Sequence, residues 1–198
     1  MKEFWDKRYD TTEYEYGTEP NDFFKQYIDR TEPGKVLLPA EGEGRNAVYA
    51  ASKGWSVDAF DYSRIAREKA LRLAQTQNVT INYTVAEIFD YPLRENHYDL
   101  IALIYAHIHR EHKSAFHQKL QTGLKKNGII LLQAFSTEQL KNDTGGPKNI
   151  DMLYTLSELK NDFKSLKIVQ AEQTDIEVNA GNYHNGAGNV IRFLAQKI

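Results

Sequence analysis

The chain has 198 residues, a formal net charge of −2 and no cysteine. Its length suits a single domain with a sizeable core, its near-neutral balance offers no basic field for nucleic acid, and the missing cysteines exclude a disulfide framework and a thiolate zinc site. No run of eighteen apolar residues is present, and the start, MKEFWDKRYD, is charged and aromatic where a signal peptide is apolar; a soluble, unexported, cytoplasmic protein without a membrane partner is expected.

Residues 1–32 mix charges with Phe4, Trp5, Tyr9, Tyr14, Tyr16, Phe23, Phe24 and Tyr27. They read as two helices flanking a turn-like YEYGTEPN, with Phe23, Phe24, Tyr27 and Ile28 at helical spacing and Asn21 or Asp22 as cap. Such aromatics can simply bury a helix on a sheet, or cover a ligand as a lid.

Lys35 to Pro39 is a short apolar run, as a strand buried on both faces requires. Gly42 and Gly44 then allow a tight turn and a close ligand approach. A helix over 45–53, ended by Gly54, leads to a strand over 55–60 that closes on Asp61. Asp61 follows Gly44 by seventeen residues, near the roughly 20 at which a carboxylate accepts from a ribose diol. GEGRNA also satisfies a looser dinucleotide fingerprint, so the motif alone does not separate a nicotinamide cofactor from an adenosyl one. Charge helps: Glu41 and Glu43 would repel a pyrophosphate and attract a sulfonium with its ammonium.

Ser63 is a good cap for a helix over 67–74, and 79–85 alternates as a strand. AEIFDYPL follows, two carboxylates straddling a short loop that reads either as a ligand loop or as a solvated, capping one. YDLIALIY, 98–105, suits a central strand whose carboxyl end, Ala106 to Arg110, lies where open α/β sheets bind ligands. His107, His109, His112 and His117 lack metalloprotease spacing, a cysteine or a clear acidic third ligand, so no metal is expected. His107 stands nearest the strand end and could orient or deprotonate an acceptor. A helix over 111–126 with Phe116, Leu120 and Leu124 on one stripe, a strand over 129–135, and a polar segment over 136–151 with TGGPK come next. That segment reads as part of an acceptor wall. A helix over 153–163 and strands over 166–177 and 187–195, joined by NAGNYHNGAG, complete the chain.

Strands alternating with helices, then two consecutive strands, predict an α/β fold: a doubly wound, Rossmann-like, mostly parallel seven-stranded sheet with an antiparallel C-terminal hairpin. FWDKRYDTTEYEYGTEPNDFF, EGEGRNAVYAASKGWSVDAFDYS, YDLIALIYAHI, NGIILLQAF, TGGPK and NYHNGAGNVIRFLAQKI together cover nearly the whole chain. In them it resembles class I S-adenosylmethionine (SAM)-dependent methyltransferases, and among these the small proteins similar to tellurite-resistance and thiopurine methyltransferases. Leu38 and Ala40 stand where that family usually has an acid and its first glycine.

The resemblance implies one domain over residues 1–198, with 1–32 as a lid, that moves a methyl group from SAM to a small molecule such as a thiol or chalcogen species. It implies a cofactor site of Trp5, Tyr9 and Tyr16 from the lid; Ala40, Glu41, Gly42, Gly44 and Asn46 about the methionine part; Asp61, Tyr62 and Ser63 at the ribose. Ala86, Glu87 and Ile88 would hold the adenine, Ile104, Tyr105 and Ala106 the strand end beside the sulfonium, and His107 and Arg110 would face the acceptor. Two rivals stay open: an NAD(P)-dependent reductase, and a non-catalytic nucleotide-binding protein of the same fold. Tyr49 to Lys53 even spells YxxxK, but in a helix turned away from the strand ends.

Overall fold

The computed structural model describes residues 2–181 and 184–198. Its centre is β1 (Lys35–Pro39), where Val36, Leu37 and Leu38 are fully buried. Beside it lie β2 (Ser56–Asp61), then β3 (Asn82–Val85) on one flank, and β4 (Tyr98–Ile104), then β5 (Leu124–Phe135) on the other. These five strands are parallel, while β6 (Lys167–Ala180) and β7 (His184–Gln196) pair antiparallel and attach through β7 to β5. The sheet order is β3-β2-β1-β4-β5-β7-β6, the mixed seven-stranded arrangement expected from the sequence.

Side chains alternate across these strands, so one apolar run feeds two cores. Leu37, Ile101, Leu103 and Leu132 meet Phe116 and Leu120 of α5 (Arg110–Gly123) and Leu159 of α6 (Leu156–Asp162). Val36, Leu38, Leu100 and Leu131 face the opposite layer. That layer comprises α2 (Asp22–Arg30), α3 (Arg45–Ser52) and α4 (Arg64–Thr76), with Phe24, Ala47, Ala70 and Leu73 inward. From β1 the chain winds outward to β2 and β3, then returns to β4 on the other side. The reversal opens a crevice at the carboxyl ends of β1 and β4, where doubly wound sheets bind ligands. A further helix, α1 (Lys2–Tyr9), reaches over it.

Three local expectations differ. The helix expected to Lys126 ends at Gly123, because Leu124 pairs with Tyr98 and is fully buried in the sheet. The register jumps from Leu124 opposite Tyr98 to Ile129 opposite Leu100, and Asn127 takes a left-handed φ of 66° in the bulge. Lys197 Nζ donates to the carbonyls of Leu124 at 2.7 Å and Gln121 at 3.3 Å, satisfying the helix end from a distant part of the chain. The hairpin is longer than expected, since β6 and β7 pair up to Ala180 opposite His184; the centre of NAGNYHNGAG lies outside the described residues. Its glycines serve packing: a Cβ on Gly188 would meet Val178 Cγ2 at 2.5 Å. The segment 136–151 is folded, with two short 3-10 helices (Thr137–Lys141 and Ile150–Met152) and buried Gln139, whose Oε1 accepts from Asn189 N–H at 2.8 Å.

Candidate functional site

The loop after β1 is fixed by its own acids. Glu41 is buried and its Oε1 accepts from the backbone N–H of Asn46 at 2.9 Å and of Ala47 at 2.8 Å, closing the N-terminus of α3. Burial pushes its carboxyl up to about 7, although those N–H donors and the Asn46 amide pull the other way. Glu43 forms a buried pair with Lys69 of α4 at 2.5 Å, and burial still raises its carboxyl above the usual range. Both acids therefore answer protein groups, and the charge argument made from the sequence holds less than expected: the loop is not a bare anionic cup. Gly44, at φ 88°, faces α4, where a Cβ would meet Ala70 Cβ at 2.5 Å. It serves close helix packing and, unlike Gly42, lines none of the cavities described here.

Three connected cavities occupy the crevice. The first lies over the loop, between Glu41, Gly42, Arg45, Asn46, Ile104 and Tyr105. The second, about 320 Å³, runs across the ends of β2 and β4 along Asp61, Tyr62, Glu87, Ile88, Phe89 and Ala106. The third, about 420 Å³, lies outward between α1 and residues 145–152. Trp5 and His107 line all three and so mark where they meet. Ala40 and Tyr105, at the ends of the neighbouring strands β1 and β4, both adopt left-handed backbones, φ 51° and 52°. A non-glycine backbone is strained in that region, as is common at binding and catalytic sites.

Asp61 ends β2 with Oδ1 accepting from Ser63 N–H at 2.9 Å and Oδ2 from Gly42 N–H at 3.2 Å. Burial lifts its carboxyl to about 6. Ser63 caps α4 and donates to Asp6 at 2.5 Å, and Ala86 N–H donates to the Asp61 carbonyl at 3.0 Å. Ser63 and Ala86 thus brace the wall from behind and line none of the cavities described, whereas Tyr62, Glu87 and Ile88 line the second.

The aromatics of the N-terminal segment divide between two places. Phe23, Phe24 and Ile28 of α2 are buried against the sheet, with Asn21 Oδ1 capping the helix by accepting from Phe24 N–H at 3.1 Å. Trp5, Tyr9 and Tyr16 line the crevice instead, Trp5 stacked on Tyr9 with centroids 5.4 Å apart. Lys69 holds this segment down: besides Glu43, its ammonium donates to the carbonyls of Tyr9, at 3.3 Å, and Glu13. Nothing in the spacing of the sequence flags Lys69 as the anchor.

His107 stacks on Phe135, centroids 5.7 Å apart and planes within 7°, and its Nδ1–H donates to the Met152 carbonyl at 3.2 Å. Nε2 is then an acceptor, shielded from solvent and without a partner among the described residues. Burial lowers the ring to about 4, so it is neutral at physiological pH. Arg110 departs from expectation. It is exposed, pairs with Asp151 at 3.4 Å and Glu158 at 3.7 Å, and lines none of these cavities, because the first turn of α5 points it outward. Among the described residues no group of three His, Asp or Glu is arranged to hold a metal ion. His117 is buried beside Asp162 at 2.8 Å, and Tyr49 donates to Asp29 on the outer face of α3, which makes its YxxxK spelling incidental.

A family model described as a methyltransferase domain matches residues 36–128, the stretch from β1 into β5 that supplies most of the lining of the first two cavities. Over that stretch the chain is similar to a methyltransferase domain. No curated protein sequence matches it. Among solved structures, TehB from Haemophilus influenzae is similar in fold, with a TM-score of 0.75 and 20% identity over 100% of this chain and 67% of that one. A protein from the conversion of a disulfide bond into a thioacetal group during echinomycin biosynthesis gives 0.81 at 15% identity, over 100% and 91%. A SAM-dependent methyltransferase from Aquifex aeolicus gives 0.67 at 16%, over 100% and 99%. At these identities the likeness is one of fold.

The crevice offers groups that could hold a nucleoside cofactor. Asp61 uses one acceptor position of each oxygen on backbone N–H, and a carboxylate has about four, so two are left for a diol. Glu87, Ile88 and Phe89 supply an acid and apolar faces along the same cavity. No helix of the described chain is long and apolar enough to cross a membrane.

Proposed function

We propose that the chain acts as one methyltransferase domain, residues 1–198, that moves a methyl group from SAM to a small-molecule acceptor in the cytoplasm. The observation that carries the reading is the meeting of three cavities at Trp5 and His107: two along the strand ends, suited to the two halves of the cofactor, and one opening outward. Asp61 takes the ribose, Glu87 and Ile88 the adenine, and Glu41, Gly42 and Asn46 shape the methionine end. Trp5, Tyr9 and Tyr16 close over them as a lid anchored by Lys69.

SAM supplies an electrophilic methyl on a sulfonium: the acceptor atom bonds to that carbon while the carbon–sulfur bond breaks, its electron pair staying on sulfur to give S-adenosylhomocysteine. Alignment and exclusion of water then carry most of the catalysis, and few reacting side chains are needed. His107 keeps Nε2 as an unprotonated acceptor through its bond to Met152, and so orients an acceptor O–H, N–H or S–H. With its ring held near 4, it is too weak a base to ionise a poorly acidic group, which favours acceptors that reach the site ionised or nearly so.

Calorimetric titration with SAM, S-adenosylhomocysteine and NAD tests the cofactor half. Micromolar binding of the first two and none of the third is expected, and preferential binding of NAD would overturn it. A screen of thiols, chalcogen oxyanions and small metabolites for formation of S-adenosylhomocysteine tests the transfer; a protein that binds SAM and methylates no small molecule, but modifies a macromolecule, refutes the acceptor class.

A further inference from the structure

The outer cavity, taken as the acceptor's under the reading above, has walls of one chemical character. Phe4, Trp5, Pro147 and Met152 make it largely apolar, with the bare backbone of Gly145 and Gly146 beside them. Its charged lining residues are Arg8 and Lys148; no acidic side chain lines it among the described residues. His107, also in the lining, is neutral at physiological pH.

An aromatic-lined cavity can also serve a cation, through the negative faces of its rings. Here those faces are taken. The Arg8 guanidinium lies over Phe4 at 4.5 Å and over Trp5 at 5.2 Å, and Nη1 donates to the Tyr16 hydroxyl at 2.9 Å. The protein's own cation thus occupies the place of a ligand's, held in a fixed plane suited to a planar anionic group. Lys148, across the opening, gives two of its three donor positions to Asp143 at 2.9 Å and the Asn142 carbonyl at 3.0 Å. That exposed pair is weak and yields to a better-placed anion.

We propose that the acceptor is an amphipathic anion: an apolar body seated against Trp5, Pro147 and Met152, and a carboxylate-like group held by Arg8 and Lys148. The anionic group is the handle, and the atom that takes the methyl lies on the body, toward His107 and the strand ends. The cations thereby become determinants of specificity, selecting acids over amines and neutral molecules of the same size.

The test is a binding comparison on the full chain saturated with S-adenosylhomocysteine, using 3-phenylpropanoate, 3-phenylpropanamide and 3-phenylpropylammonium, followed by calorimetry and by saturation-transfer NMR. The anion is expected to bind at least tenfold tighter than either relative, with an affinity that falls as salt is added. Lys148→Gln, in an exposed segment, should cut the preference about threefold, and Lys148→Gln with Arg8→Gln should bring the three affinities within threefold of one another. Equal or tighter binding of the amide or the ammonium compound overturns the proposal. So does an anion preference that survives both substitutions. Failure of S-adenosylhomocysteine to bind would instead remove the cofactor reading on which the proposal rests, and the first titration reports that separately.

Discussion

The two walls of the crevice are built by different means. The inner wall is local: the end of β1, its loop, the start of α3 and the end of β2 fall within residues 39–63, and their polar groups are joined by short bonds such as Glu41 to Asn46 and Ala47 and Asp61 to Gly42 and Ser63. The outer wall is assembled from afar: α1, residues 145–149 and Met152 come together around His107. A local wall can be preorganised by backbone donors, which suits the constant cofactor. An assembled wall varies one side chain at a time, which suits the acceptor.

Lys69 joins the two walls, and removing it should have the largest effect. Lys69→Met leaves Glu43 buried without its cation and frees the carbonyls of Tyr9 and Glu13, and a loss of about 3 kcal/mol or more is expected in urea unfolding. A loss below about 1 kcal/mol would show that the lid is held by its aromatic stacking alone. Within the inner wall, Asp61→Ala should weaken SAM about 100-fold by calorimetry, since two charge-assisted hydrogen bonds are lost. An unchanged affinity would discard the ribose assignment.

Glu41 sharpens the comparison through pH. Its folded-state value, about 7, is raised above the ordinary carboxylate range, so the stability it contributes is present at low pH and is lost as pH rises from about 4.5 through 7. Glu41→Gln keeps an acceptor for the α3 N–H groups without the charge. Melting at pH 5 and pH 8 should therefore show the variant gaining on the parent by about 1 to 2 kcal/mol at the higher pH; an equal gap at both values would mean that the N–H donors offset burial in full. The smallest effect belongs to Ala40. Ala40→Gly relieves a φ of 51° but loosens the unfolded chain, for a net gain below about 1 kcal/mol in chemical denaturation, whereas Ala40→Val should lose more than that.

The inner wall was legible because its signals sit close together: a strand, two glycines, a helix and an acid at a fixed interval. Asp61, Tyr62, Glu41, Gly42, Asn46, Glu87 and Ile88 were named from that stretch, or from the resemblance it supports, and all line the crevice. Gly44, Ser63 and Ala86 were named with them, yet they brace the wall from behind, a distinction that depends on which way each residue faces in the fold. Arg8, Lys148 and Met152 were not named individually, and Phe4 only among the aromatics of its segment, since they are separated by most of the chain and no periodicity links them. Arg110 was placed on the acceptor side with His107, three residues before it, and helix geometry turned it toward Asp151 and Glu158.

By itself the sequence determined the α/β alternation, the glycine loop, the carboxylate after the second strand and the terminal hairpin, because hydrophobic period and turn chemistry act over a few residues. Only the tertiary structure decided how far the long strands pair, which charges neutralise one another and which cations face the outer cavity. Burial and long-range pairing set those energies, and both depend on residues that meet in space across the length of the chain.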